Sequence, residues 1–450
     1  MLVGAQQTTE PDIVAPIVRL LARAVAVVAA MGALGSPVRA GNEALLLIDA
    51  ETGKVLQAEN ATYPWYPAST SKLMTTYVTL QAVKSGRITM DTLLTVSPNA
   101  VAQTPSKMGF RAGVTVTVDN ALKMLLVHSA NDIAVVLAEG VSGSIEKFAD
   151  EMNATSKRLG MVQSSWVNPN GLPAEGQISS ARDLGILARA LMHDFPEYDF
   201  YWHIPSIKFG SKVMVNYNKL LAEYPGADGM KTGFICSSGF NLVASATRDN
   251  RRLIAIVLGA PSSAVRAQKA AMMLERGFSN GTGLSWLLPS LGTVDALTPI
   301  NAAPPDLHEQ ICGPHHKRPR AENEDDDAAS AGPDGDQQRA FMLSDLKGST
   351  KGSLLTGNPL VAAVPPIVVY TGPKKPTGSG QAEADAAMLK QPKKHAKKSD
   401  KQNDKPKIAD TKTDKSAAAK KTEAAKNTKP AAPKTAQAKP QKPKVAPTTQ

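Results

Sequence analysis

The sequence predicts an α+β fold, an antiparallel sheet flanked by helices beside a helical subdomain. Three observations carry this. Strand-like and helix-like segments are segregated in the order strands, helices, strands, helix, whereas parallel units would alternate. Arg248-Asp249-Asn250 joins two apolar runs at hairpin spacing, which makes their strands antiparallel neighbours. The periodic pattern stops near residue 280, and the chain ends in a segment too polar to make a core.

Taken in order, Ala44 to Asp49 reads as a buried strand and Lys54 to Ala58 as its partner, with Thr52-Gly53 as the tight turn. Thr70 to Ala82 has helical spacing, with Pro67 marking its start and Gly86 its end. Val/Thr alternation within 106–118 suggests a strand, and Asp119 is the expected N-cap of a helix over 120–127. Further helices are expected over 132–139, closed by Gly140, over 145–159, closed by Gly160, and over 181–192, capped by Ser180. Residues 164–180 are dense in turn formers and read as a long surface loop. Strands follow over 229–235, 240–247 and 253–258, then a helix from Ser262 to about Arg276 that covers the sheet.

The ends differ in kind. Arg19 and Arg23 accompany an apolar run from Leu20 to Leu34, and Val38-Arg39-Ala40 has cleavage-site spacing, so residues 1–40 are expected to be a signal peptide. An uncleaved anchor is the alternative, disfavoured because the run falls short of the ~20 residues a span needs. Residues 41–282 form the expected catalytic domain, and 283–370 a linker with a possible small C-terminal module and an acidic loop over 321–338. Leu354 to Tyr370 is apolar but broken by prolines, so it supplies a strand or two to that module or docks on the main domain. Residues 371–450 are expected to be a disordered Lys/Ala/Pro-rich tail.

Over 390–450 eighteen lysines face five acids, a net of +13, while the whole chain nets +11. The remainder is therefore close to neutral, and the basic character belongs to the tail. The folded part gives no electrostatic reason to expect nucleic-acid binding, and it contains no nucleic-acid-binding motif. Contact of the tail with anionic envelope components is one expectation, a solubilising spacer the other. The seven histidines show no metal-ligand spacing, so neither metal nor cofactor is expected. Cys236 and Cys312 could pair in an exported chain or remain two buried thiols.

Chemistry concentrates at Ser69-Thr70-Ser71-Lys72, where a hydroxyl and an amine lie one helical turn apart. The spacing alone is weak, because Ser144 with Lys147 and Ser344 with Lys347 share it. Ser129-Ala130-Asn131 at a turn between helices and Lys231-Thr232-Gly233 opening a strand complete a set used by serine acyl-transfer enzymes. Ser97-Pro98-Asn99 and Lys84-Ser85-Gly86 imitate the second and third elements. The first lies in an expected loop and the second ends a helix.

Residues 67–75, 129–132, Asn168-Pro169-Asn170-Gly171-Leu172 and Asp228 to Phe234 together resemble the D-alanyl-D-alanine carboxypeptidases, the low-molecular-mass penicillin-binding proteins. The resemblance covers roughly residues 41–280 and implies a β-lactamase/transpeptidase-like fold with the site in a cleft. It implies Ser69 as nucleophile on peptidoglycan stem peptides, Lys72 as base and Ser129 as proton relay. Asn131 would bind the substrate amide, Lys231 and Thr232 its terminal carboxylate, and Gly233 would let the strand approach it. The backbone amides of Ser69 and Phe234 would hold the oxyanion.

A lysine at its ordinary value of about 10.4 is a poor base at neutral pH, so the site must favour the neutral amine by roughly 4 kcal/mol. β-Lactams are expected as covalent inhibitors, released slowly, because Glu175 lacks the sequence context of the glutamate that deacylates class A β-lactamases. A D,D-endopeptidase using the same residues and a silent peptidoglycan-binding module are the alternatives.

Overall fold

A computed structural model of the chain describes residues 43–279, 291–314 and 364–373. The expected signal peptide, the acidic loop and residues 374–450 of the tail lie outside the described residues. Strands β1 (Ala44–Asp49) and β2 (Val55–Glu59) open the fold. A 3-10 turn over Ala68–Ser71 leads into α1 (Lys72–Lys84). Next come β3 (Leu93–Thr95), α2 (Pro98–Ala102), β4 (Thr115–Thr117), α3 (Val118–Val127), α4 (Asn131–Ser142), α5 (Ile145–Leu159) and α6 (Ala181–Asp194). The chain continues through β5 (Ser206–Phe209), β6 (Lys212–Val215), α7 (Leu220–Glu223), β7 (Ala227–Ile235), β8 (Gly239–Arg248), β9 (Arg251–Ala260) and α8 (Ser263–Ser279). α9 (His308–Cys312) and β10 (Ile367–Val368) complete it.

The main sheet has the order β2-β1-β9-β8-β7 with antiparallel neighbours throughout. Its apolar runs are continuous because both faces are covered. Leu45, Leu47, Leu253, Ala255 and Val257 pack beneath α8 with Ala270, Met273 and Leu274. Their alternates Leu46, Ile48, Ile254, Ile256 and Leu258 pack on the other side with Leu184 and Leu187 of α6 and the core of the helical subdomain. Asp249 and Asn250 both adopt positive φ in the β8–β9 turn, as a two-residue hairpin requires.

Several expectations are corrected. Thr117, not Asp119, caps α3, its hydroxyl accepting from the Asn120 N–H at 3.2 Å, and Asp119 occupies the first turn. α4 runs through Gly140 and ends at Gly143. Gly140 marks close packing instead of a stop, since a Cβ there would lie 2.6 Å from Leu94 of β3. Ser97-Pro98-Asn99 begins α2, with the Ser97 hydroxyl as its cap, so it is not the open loop expected.

The two cysteines left open by sequence are bonded, Cys236 to Cys312. Segment 364–373 docks on the main body: β10 pairs in parallel with β5, the Gly372 N–H bonds Thr115 O at 2.7 Å, and Val369 is buried.

Candidate active site

Everything at the site is built on a strained turn before α1. Ala68 has φ +48°, a left-handed conformation unusual for a residue with a Cβ. The turn is pinned from both ends. Thr70 Oγ1 and Ser71 Oγ donate back to Pro67 O and Ala68 O at 2.7 and 2.8 Å, and the Asn241 side chain of β8 donates to Tyr66 O and Pro67 O at 2.9 and 3.1 Å. Ser69 is thereby presented at the start of a helix whose own first residue is Lys72.

Lys72 is fully buried, and its Nζ donates to Ser69 Oγ at 2.8 Å, Asn131 Oδ1 at 2.8 Å and Asn170 O at 2.7 Å. The i, i+3 pair read from sequence is thus in direct contact. Asn131 opens α4 and is held in turn by its own amide, donating to Thr104 O at 2.9 Å. Ser129, two residues earlier, has φ +56°, and its buried Oγ has no hydrogen-bond partner. A buried hydroxyl left in this state has its hydrogen-bonding capacity available to a ligand.

β7 forms the opposite wall. Lys231, Gly233 and Ile235 face the nucleophile turn, while strand alternation turns Thr232 and Phe234 to the other face. A Cβ on Gly233 would sit 2.8 Å from Ser69 N and 3.1 Å from Pro67 O, so only glycine lets the two backbones meet. The expectation that Gly233 admits substrate is therefore sharpened: what it admits is the nucleophile turn itself. The Phe234 ring stacks on Phe240 at 4.2 Å between centroids, and its side chain belongs to packing. Lys231 is buried, with Nζ donating to Thr232 O at 2.9 Å.

The turn that presents Ser129 carries a second buried ionisable group. His128 is pushed down to about 4 by burial, with the charges of Lys212 and Lys231 adding to the effect, and its Nδ1 lies 3.2 Å from the Tyr217 hydroxyl. The charge of Lys231 therefore reaches the Ser129 turn. Asp132, next to Asn131, is raised by burial although it accepts from the N–H groups of Met108, Gly109 and Ile133 at 3.1, 2.8 and 2.9 Å. It clamps loop 106–109 against α4.

Sequence reasoning missed most of what lies beneath the turn. Loop 164–180 is largely packed, not a surface loop: Trp166, Asn170, Gln177 and Ser179 are buried. Gly171 has φ +82°, and a Cβ there would lie 1.9 Å from Ala68 O, so the loop presses directly on the turn. Gln177 donates to Ser71 Oγ at 3.1 Å. Arg266, buried under the sheet edge, donates to Asn241 O at 3.2 Å and Tyr217 O at 3.4 Å. The Asn-Pro-Asn-Gly composition that marks turns also disguised this burial, although its place in the resemblance was a signal.

Two outcomes follow from this geometry. Gly233→Ala must push the Ser69 turn out of place, so labelling of Ser69 by a fluorescent penicillin should fall at least tenfold, beyond any change in thermal midpoint. His128 binds a proton less readily folded than unfolded, where its value is near 6.5. Its contribution is thus fully present above pH ~6.5 and is lost as pH falls towards 4, about 3 kcal/mol at most. Asp132 and Asp183, both raised by burial, titrate with the opposite sign. The effect should therefore appear as a shallower acid slope of urea stability in His128→Gln than in wild type.

A family model described as D-alanyl-D-alanine carboxypeptidase matches residues 33–262. The carboxypeptidase DacC of Escherichia coli is 38% identical over 242 residues, covering 52% of this chain and 60% of that protein. DacF of Bacillus subtilis is 36% identical over 241 residues, covering 52% and 61%. The chain thus spans less than two thirds of these relatives' own lengths. Among solved structures, DacD from Francisella tularensis aligns with a TM-score of 0.52 at 30% identity, covering 52% of this chain and 70% of that one. Penicillin binding protein 6B from Escherichia coli aligns at 0.51 and 37%, covering 54% and 80%. The antiparallel sheet with its helical subdomain is accordingly the penicillin-binding, transpeptidase-type fold. With Ser69, Lys72, Asn131 and the Lys231-Thr232-Gly233 strand set around one buried turn, the chain belongs to the D-alanyl-D-alanine carboxypeptidase family.

Proposed function

We propose that the protein is a serine-type D-Ala-D-Ala carboxypeptidase that removes the terminal D-alanine from peptidoglycan stem pentapeptides through an acyl-enzyme on Ser69. The observation that carries the reading is the 2.8 Å contact between Lys72 Nζ and Ser69 Oγ inside a buried, multiply braced turn. In its neutral form Lys72 keeps two donor bonds, to Asn131 Oδ1 and Asn170 O, and turns its lone pair to Ser69 Oγ, taking that proton as Oγ attacks the penultimate carbonyl. The backbone N–H groups of Ser69 and Phe234 hold the oxyanion, which Gly233 makes possible by bringing β7 against the turn.

Ser129, whose hydroxyl is otherwise unpaired, passes a proton to the departing D-alanine nitrogen. Asn131, whose oxygen accepts from Lys72 and whose amide donates one N–H to Thr104 O, offers its second amide N–H to the substrate amide. Lys231, with Thr232 beside it on the strand edge, holds the terminal carboxylate, which accounts for a fixed buried cation in an enzyme that acts on chain ends. Water then releases the acyl group. The cell envelope, reached by export, is the compartment in which this substrate occurs, and β-lactams acylate the same serine.

Incubation of the mature protein with a pentapeptide ending in D-Ala-D-Ala should release D-alanine, and Ser69→Ala should lower the rate by at least 10³-fold. Absence of release from wild type would refute the proposal. Penicillin should label Ser69 and leave slowly, with an acyl-enzyme that survives gel filtration. Rapid turnover of the drug would instead mark a hydrolytic β-lactamase.

A further inference from the structure

The Ser129 turn is held by more than its own backbone. Ser129 has φ +56°, and among the described residues its buried Oγ has no hydrogen-bond partner. A residue with a Cβ keeps a left-handed conformation only where its surroundings over-determine it. Here they do so with one contact on each side. After the turn, the Asn131 N–H donates to Ser106 O at 2.8 Å. Before it, the buried ring of His128 meets the Tyr217 hydroxyl at 3.2 Å through Nδ1. The same hydroxyl lies 3.5 Å from Ser106 Oγ, so one phenol group touches the residues that brace both ends of the turn.

Tyr217 comes from outside the helical subdomain, from a buried loop between β6 and α7 that is anchored on three sides. The Asn216 N–H and side-chain amide donate to Pro205 O and Ile204 O at 2.8 and 3.0 Å. The Asn218 amide donates to Gly229 O of β7 at 2.7 Å, two residues before Lys231. Arg266 of α8 donates to Tyr217 O at 3.4 Å and also to the backbone of Asn241, whose side chain holds the nucleophile turn. The phenol is thus a strut from the strand that carries Lys231 to the turn that carries Ser129.

His128 is uncharged at neutral pH, because burial and the charges of Lys212 and Lys231 outweigh the backbone of Lys107, which favours the protonated ring. A neutral imidazole accepts or donates at Nδ1 according to its tautomer, and a hydroxyl answers either. The bond to Tyr217 therefore stands in both. In the acyl-enzyme reading the C–N bond breaks with its electron pair on nitrogen, and Ser129 delivers the proton that the departing D-alanine takes. A misplacement of about 1 Å at such a step costs on the order of 10²-fold. The Ser129 hydroxyl has no partner to aim it, so its backbone must.

We propose that Tyr217, acting through His128, is a positioning residue that aims the Ser129 hydroxyl at the leaving nitrogen. The inference rests on the acyl-enzyme reading and adds to it the strut that sets the relay. The test uses the full-length mature protein, the peptide N-acetyl-L-lysyl-D-alanyl-D-alanine and its thiolester analogue, in which sulfur replaces the nitrogen of the last residue. A thiolate leaves without a proton and an amide nitrogen does not, while kcat/KM reports acylation by both. Tyr217→Phe, which keeps the ring, should lower kcat/KM for the peptide about tenfold, a fraction of the ~10²–10⁴ that a positioned acid supplies, and leave the thiolester within about twofold. His128→Leu should show the same selectivity, and the double variant should be no worse than either single one, as residues acting as one unit require. Ser129→Ala should show that selectivity at its full size. Equal losses on the two substrates in Tyr217→Phe, no loss at all, or additive losses in the double variant overturn the positioning role while leaving the activity standing. Equal losses in Ser129→Ala overturn the relay and the strut together. Hydrolysis of neither substrate by wild type overturns the acyl-enzyme reading as well.

Discussion

The three hydrogen bonds of the Lys72 amine hold the site together. They join the nucleophile turn, the start of α4 and loop 164–180, three segments far apart in sequence. Removing that one amine would leave Asn131 Oδ1 and Asn170 O as buried acceptors without their donor, at a cost of about 1–3 kcal/mol each. The residue proposed to activate Ser69 is therefore also a structural centre, and a chemical role for it cannot be separated from the architecture by simple deletion. The same arrangement explains why the turn tolerates a left-handed Ala68: the surrounding contacts leave it no relaxed alternative.

The sheet serves this centre from the other side. Both of its faces are buried, so its position is set by α8 and α6 together, and β7 is delivered at a fixed distance from the turn. Asn241 of β8 then ties the turn's carbonyls to the sheet itself. Gly233 turns proximity into backbone contact. A site assembled in this way places catalytic precision on regular elements, while the loops act as wedges behind them.

Much of this was legible in the sequence. The alternation of Leu45/Leu47 with Leu46/Ile48 is invisible in an apolar run, yet the run itself declared a strand buried on both faces. Ser69, Lys72, Ser129, Asn131, Lys231 and Gly233 stand out from look-alikes by their order and local context, and the contacts of Lys72 with Ser69 and Asn131 and of Gly233 with the Ser69 turn are what that order anticipates. The Ser97 look-alike was set aside for a reason that fails, since it does begin a helix. What escaped notice was tertiary. Loop 164–180 looks solvated because Asn, Pro, Ser and Gly satisfy backbone groups equally well in water and in a packed interior. Asp132 and Arg266 look like surface charges until the chain folds round them. The capping role of Thr117 lost to Asp119 because both are good caps two residues apart.

The order of strands carries one more consequence. Among the described residues β7 is the last strand of its sheet, with one side unpaired, and an unpaired edge is a template on which an extended chain can pair. The described segment 364–373 does not go there. β10 adds itself to the small sheet at β5 and leaves the long edge open. Among the described residues the main sheet keeps two outer edges, at β2 and at β7, and the one at β7 is the edge that borders Ser69.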